Sequence, residues 1–108
     1  VWYQSNLKRS KHIIFKMKIV DCYSLAIITL PVRGIHCTHA QCFDLRNYVY
    51  FVWGSKNRIW RCPICSKEAK RFMLDRQQLE IINRIQELKL NVKEIIYLRK
   101  GDILLKKA

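Results

Sequence analysis

The chain has 108 residues, of which 21 are Lys or Arg and 8 are Asp or Glu, a formal charge of +13 at pH 7. That length allows one small core, which a bound metal would help to hold against the entropy of ordering the chain. No uninterrupted apolar run approaches the ~20 residues of a membrane span and no signal peptide is visible, so we expect no membrane partner. Its 5 cysteines carry a metal-like spacing with no even disulfide framework, which fits a reducing compartment.

The positive charge is dispersed along the chain. Such a surface attracts polyanions, which makes DNA or chromatin one candidate partner class and acidic protein surfaces another. The densest basic stretch is Lys8, Arg9 and Lys11, close to Lys16 and Lys18, and the first three are the candidate nucleic-acid-binding residues. No motif with base-reading geometry accompanies them, so a solvated, solubilising surface is the competing reading. The chain opens on Val1 and its first residues match no known pattern. Residues 1–17 are therefore expected to be a basic N-terminal segment ending a longer upstream region.

In chain order, residues 12–20 alternate in part between polar and apolar, with Ile14, Met17 and Val20 loosely spaced, and predict a strand leading to Tyr23. The β-branched run Ile27-Ile28-Thr29-Leu30 predicts a second short strand stopped by Pro31. Gly34 then permits a turn. Phe43, Val49, Tyr50 and Trp53 recur near a helical period, which predicts a helix over about residues 44–53 with Asp44 as its N-cap and Gly54 at its end. Asp75-x-x-Gln78 is a second helix start, a cap with a side chain three residues on that can reach back. Leu79, Ile82, Ile85 and Leu88 then share one face, assigned to core packing. Residues 94–98 and 103–105 flank Lys100-Gly101-Asp102 as a strand pair around a glycine turn.

The chemistry resides in Cys37-Thr38-His39 and Cys62-Pro63-Ile64-Cys65. Zinc takes soft or borderline ligands in a tetrahedron, and Cys37, His39, Cys62 and Cys65 supply three thiolates and one imidazole. A Cys-x-x-Cys step lets both sulfurs of a tight turn point at one ion, and a Cys-x-His step delivers its ligands from one turning segment. Ordinary buried thiols or a redox pair compete with this reading, but two such steps together favour the metal. A ligand set made wholly of protein leaves no open coordination position, so the zinc is structural. Cys22 and Cys42 read as small buried thiols, and no catalytic residue is nominated.

These residues look like half of a RING-type zinc site. Pro31-Val32-Arg33-Gly34, Cys37-Thr38-His39, Gln41-Cys42-Phe43-Asp44-Leu45, Tyr48 and Trp60-Arg61-Cys62-Pro63-Ile64-Cys65 resemble the SP-RING, or MIZ-type, zinc finger of the PIAS and Siz families of SUMO ligases. Upstream, Asp21-Cys22-Tyr23-Ser24 aligns without gaps; downstream, Leu74-Asp75 and Glu94-Ile95-Ile96-Tyr97-Leu98 with Gly101-Asp102 extend the likeness over about residues 18–105. The resemblance implies an α+β fold: a small RING-like (SP-RING) zinc-binding domain with one zinc site and a helix plus strand-pair C-terminal extension. The expected organisation is a zinc finger at 18–74 and the extension at 75–108. The other site of a RING would need a Cys-x-x-Cys pair near Asp21 and a thiol near Leu45. Only Cys22 and Cys42 are on offer, so packing and hydrogen bonds are expected to fill it.

The resemblance further implies a transferase that acts as an adaptor without a covalent intermediate. A SUMO-protein ligase binds the SUMO-charged conjugating enzyme and holds it where a substrate lysine can attack, so the gain comes from orientation. Tyr23 in a first loop and Pro63 and Ile64 in a second would contact the conjugating enzyme, with Trp60 contacting it or wedging the two loops. The segment from about Val92 to Ile103 would help to position SUMO. Three departures fall in the first loop: Cys22 for a usual proline, Tyr23 for a smaller aliphatic residue and Ile27 for a basic one. With the heavy charge, they support the alternative of a non-catalytic SP-RING scaffold or docking module in a nuclear or chromatin complex. Either reading implies a nuclear location within a larger protein or complex.

Overall fold

The computed structural model describes residues 2–3, 13–98 and 102–107. Its elements are β1 (Trp2–Tyr3), β2 (Ile13–Lys18), β3 (Pro31–Gly34), β4 (Phe43–Asp44), α1 (Leu45–Gly54), β5 (Phe72–Leu74), α2 (Arg76–Glu87), β6 (Val92–Leu98) and β7 (Ile103–Lys107). This α+β chain builds a four-stranded sheet in the order β1-β7-β6-β2 and a three-stranded sheet in the order β4-β3-β5. The candidate residues Lys8, Arg9 and Lys11 lie outside the described residues.

The larger sheet joins distant parts of the sequence. β6 and β7 form the expected antiparallel pair, with Ile95 opposite Leu105 and Tyr97 opposite Ile103. On the far side of β6, β2 pairs antiparallel with Lys16 opposite Ile96, and β1 runs parallel to β7. Strand side chains alternate between faces, so Met17, Ile95, Tyr97, Ile103 and Leu105 share one face, where Ile81, Ile82 and Ile85 of α2 cover them. Ile19, Ile28 and Cys42 join this core from the segments between β2 and β4.

α2 starts where its sequence says, with the Asp75 carboxylate accepting the Gln78 N–H at 2.9 Å. The expected reach-back by Gln78 does not occur. Its side chain is fully buried and accepts the Tyr97 hydroxyl at 2.8 Å. The inward stripe is Gln78, Ile81, Ile82 and Ile85, and Leu88, expected on that stripe, is 52% exposed. The helix closes on Lys89, which takes the left-handed conformation at φ 54° while the Leu90 N–H donates to the Ile85 carbonyl at 3.0 Å.

The smaller sheet corrects the expected strand over Ile27–Leu30. The backbone N–H groups of Thr29 and Leu30 donate to the Asp44 carboxylate at 2.9 and 2.8 Å, so they are unavailable to a ladder. Ile27 makes only an isolated bridge with Val20. The strand begins instead at Pro31, where a missing N–H costs nothing. β5, which the sequence did not announce, pairs with β3 through Val32 opposite Leu74.

α1 has the expected cap, the Asp44 carboxylate accepting the Asn47 N–H at 3.0 Å. Its buried residues are Tyr48 and Val52, not the periodic set first noted: Val49, Tyr50 and Trp53 are 39%, 83% and 60% exposed. The Tyr48 ring decides the rotation of the helix. It sits among Phe43, Phe72 and Trp60 with centroids 5.0, 5.5 and 5.8 Å away, and its hydroxyl donates to the Ala69 carbonyl at 2.8 Å. Val32, Phe43, Tyr48, Val52, Cys62 and Ala69 form this second core, with Cys37, Cys65 and Trp60 packed on it.

Candidate metal centre and docking loops

Two short loops deliver the metal donors. β3 ends at Gly34, whose carbonyl accepts the Cys37 N–H at 3.0 Å and turns the chain toward His39. A Cβ on Gly34 would lie 3.2 Å from both the Ala69 Cβ and the Cys37 sulfur, so glycine serves here for close approach as well as for turning. On the other side, the Cys62 N–H donates to the Lys67 carbonyl at 2.8 Å and the Ser66 N–H to the Cys62 carbonyl at 2.9 Å. Ser66 adopts φ 65°. This tight knuckle aims the sulfurs of Cys62 and Cys65 at the first loop, and the Ile64 N–H points to the Cys62 sulfur at 3.3 Å.

The donor atoms of Cys37, His39, Cys62 and Cys65 all lie within 4.8 Å of one another. Zinc–sulfur bonds of ~2.3 Å and zinc–nitrogen bonds of ~2.0–2.1 Å in a tetrahedron put sulfurs about 3.8 Å apart and nitrogen about 3.5 Å from sulfur. The Cys65 and Cys37 sulfurs are 3.7 Å apart, and the His39 Nε2 lies 3.3 Å from the Cys62 sulfur. The other ring nitrogen, Nδ1, lies 2.8 Å from the Gln41 carbonyl. Donating there leaves Nε2 unprotonated toward the metal, the usual outer support of a ligating histidine. In the metal-free chain burial and the neighbouring sulfurs push the Cys37 thiol up to about 12, while the Lys67 backbone N–H holds Cys65 below its ordinary value. Zinc binding therefore expels protons as the thiolates form.

Asp21 occupies the ground of the missing site. Its carboxylate is fully buried and accepts the Tyr23 N–H at 3.0 Å, the Ser24 N–H at 3.1 Å and the Asp44 N–H at 2.9 Å. The Asn47 side-chain amide adds a donor at 3.3 Å. Asp44, linked to Asp21 through that N–H, ties the Thr29–Leu30 backbone to the start of α1. Burial alone would raise the Asp44 carboxyl; its hydrogen bonds from Leu30, Asn47 and Thr29 outweigh that and hold it below the usual range. Two carboxylates thus fasten the loops that a second ion would fasten. Sequence reading missed Asp21 as a structural residue, although Asp21-x-x-Ser24 marked the place.

Neither leftover cysteine joins the metal group. Cys42 is buried with its sulfur 3.0 Å from an Arg33 guanidinium nitrogen, and burial pushes the thiol up to about 12. The same nitrogen donates to Asp75 and to the Ala40 carbonyl, each at 2.9 Å. Arg33 therefore links the histidine loop to the cap of α2. Cys22 is exposed, contrary to the buried-thiol expectation.

The four candidate docking residues differ in what they offer. Ile64 is 40% exposed at the tip of the knuckle. Pro63 beside it is partly buried. Tyr23 stacks on Phe51 with centroids 4.5 Å apart, and the partly buried Trp60 ring meets Tyr48 edge-on with centroids 5.8 Å apart. A groove of about 670 Å³ runs between the two loops and the larger sheet, lined by Val20, Cys22, Leu25 and Ile64 with Lys18, Lys93 and Lys106. Leu25 is 78% exposed.

This arrangement has a name in known proteins. The MIZ/SP-RING zinc finger family matches residues 17–68. That segment is a MIZ/SP-RING zinc finger. The donor set, its spacing and the family agree on one structural zinc ion, held by Cys37, His39, Cys62 and Cys65. Zinc finger MIZ domain-containing protein 1 of Homo sapiens is 41% identical over 61 residues, 55% of this chain and 6% of that protein. The E3 SUMO-protein ligase PIAS2 of Homo sapiens is 40% identical over 58 residues, 52% of this chain and 9% of that protein. The chain thus spans less than a tenth of either relative. The crystal structure of the S. cerevisiae SUMO E3 ligase SIZ2 shares the fold, with TM-score 0.74 and 19% identity over 89% of this chain and 36% of that one. The fold shared with that structure therefore extends beyond the matched segment into α2 and the larger sheet.

Proposed function

We propose that this SP-RING chain is the conjugating-enzyme-binding module of a SUMO-protein ligase. The observation that carries the reading is the apolar groove between the Asp21 loop and the zinc knuckle, with Leu25 and Ile64 exposed along it. Exposed aliphatic side chains on loops fixed by a metal and by buried carboxylates make rigid anchors, and rigidity lowers the cost of docking. The relatives named as SUMO-protein ligases support the partner. No side chain needs to touch the reacting atoms: the module holds the SUMO-charged enzyme in a reactive geometry while a substrate lysine attacks the thioester. The same proposal places the module in the nucleus.

The scaffold alternative draws on one observation. Tyr23 is committed to Phe51 and presents less of its ring than a free anchor would. A calorimetric titration with the uncharged conjugating enzyme separates the two readings. We expect measurable binding that Ile64→Ala weakens by roughly tenfold, the effect of losing one central apolar anchor, with zinc content unchanged. No binding at high concentration would leave the scaffold reading in place. Removing the C-terminal strands is not a usable test of their role in positioning SUMO, because β6 lies between β2 and β7 and its Ile95 and Tyr97 sit in the core.

A further inference from the structure

The outer face of α1 is spent on neither the zinc core nor the groove. Arg46, Tyr50 and Trp53 stand at helical spacing on it, with Tyr50 83% and Trp53 60% exposed. Just past the helix, Arg58 takes the left-handed conformation at φ 46°, its N–H donating to the Ser55 hydroxyl at 3.2 Å. From there its guanidinium carbon lies 4.1 Å from the centre of the Trp53 ring. The turn thus holds a cation on one face of an indole whose exposure leaves the other face open. Between Leu45 and Lys67 the sequence contains no acidic residue, while Arg46, Lys56, Arg58, Arg61 and Lys67 are all exposed. Large apolar rings left in water among these cations, with Glu68 the one carboxylate in the adjoining hollow beside Arg58 and Arg61, mark a surface whose charge favours a negatively charged occupant.

We propose that this face binds single-stranded nucleic acid, with Trp53 and Tyr50 as stacking platforms and Arg46, Lys56 and Arg58 taking the phosphates. Single strands offer both components at once: unpaired bases with free π-faces and a charge at every nucleotide. A duplex keeps its bases stacked on one another, and an acidic peptide would satisfy the cations but leave the rings with no flat partner. The site would be largely indifferent to sequence, because every base has a face to stack. It is separate from the groove lined by Leu25 and Ile64, so it stands or falls independently of the ligase reading.

The test uses the zinc-loaded 108-residue chain and a fluorescein-labelled oligodeoxythymidine of about ten nucleotides, within the footprint such surfaces span, followed by anisotropy at low salt. Trp53→Ala and Tyr50→Ala leave the net charge unchanged, so they separate stacking from bulk attraction. Each is expected to weaken binding by about fivefold or more, and Trp53→Phe to restore much of the loss. Arg58→Gln should lower the slope of log affinity against log salt by about 0.7, the loss of one phosphate contact on a single strand. Zinc content and circular dichroism confirm that each variant is folded. Equal affinity for wild type and both aromatic variants would overturn the proposal and leave only general attraction to a basic surface. So would equally tight binding of a duplex of the same length. Dependence on Trp53 that appears with a polyglutamate peptide and not with the oligonucleotide would reassign the face to an acidic protein.

Discussion

Replacing Cys62 by Ser is expected to abolish zinc binding and unfold the core around Tyr48. Structural zinc contributes on the order of 10–16 kcal/mol of apparent binding free energy, more than the whole stability of most small domains. Cys62 is itself buried in that core, and Cys37 and Cys65 pack on it, so the ion and the apolar side chains stabilise one another. The loss should be uneven. Ile95, Tyr97, Ile103 and Leu105 belong to the other core, which contains no zinc ligand, and the amides of β6 and β7 should keep more protection from hydrogen exchange than those of α1. Elemental analysis and exchange on the same sample check both parts. Retained zinc with native protection in α1 would contradict the ligand assignment.

Replacing Asp21 by Ala should cost less than losing the zinc, yet still a large part of the stability, without touching the metal. The carboxylate collects backbone N–H groups from Tyr23, Ser24 and Asp44, and its removal leaves the buried Asp44 N–H without that acceptor. Hydrogen bonds to a charged group and an orphaned buried donor together amount to roughly 3–5 kcal/mol, a large share of a marginal total. Urea denaturation should show that loss while the folded fraction still carries one zinc per chain. Asp21→Asn should fall between, since it keeps one acceptor oxygen but turns an amide against the remaining N–H groups. Two zinc ions per wild-type chain, or an Asp21→Ala variant as stable as wild type, would refute the view that hydrogen bonds stand in for a second ion.

These two residues also mark what could and could not be read from the chain. The zinc ligands were legible because ligand spacing is a local property: Cys-x-His and Cys-x-x-Cys fix donor positions within a few residues. The caps at Asp44 and Asp75 were legible for the same reason. Asp21 was legible only in its local half: Asp21-x-x-Ser24 marks the bonds from the Tyr23 and Ser24 amides, but no short pattern records its distant partners Asp44 and Asn47. Nor did periodicity reveal that Lys16 pairs with Ile96, a match that only the folded chain makes. The strand expected over residues 27–30 failed for a related reason. Its β-branched side chains suited a ladder, but the Thr29 and Leu30 amides were claimed by Asp44. On α1, Tyr48 outbid the neighbouring apolar residues for the interior because it could fill the space beside Phe43 and satisfy its hydroxyl on Ala69. The residues turned outward by that choice, Tyr50 and Trp53, form the face to which we assign a single strand.

The most direct test of the ligase reading is a single-turnover discharge assay: SUMO thioester-linked to its conjugating enzyme, free lysine as acceptor, and the zinc-loaded chain added in excess. The account predicts that the chain accelerates loss of the thioester, and that Ile64→Ala, with zinc content and folding intact, removes most of the acceleration. A well-folded chain that binds zinc yet leaves the discharge rate unchanged would contradict it.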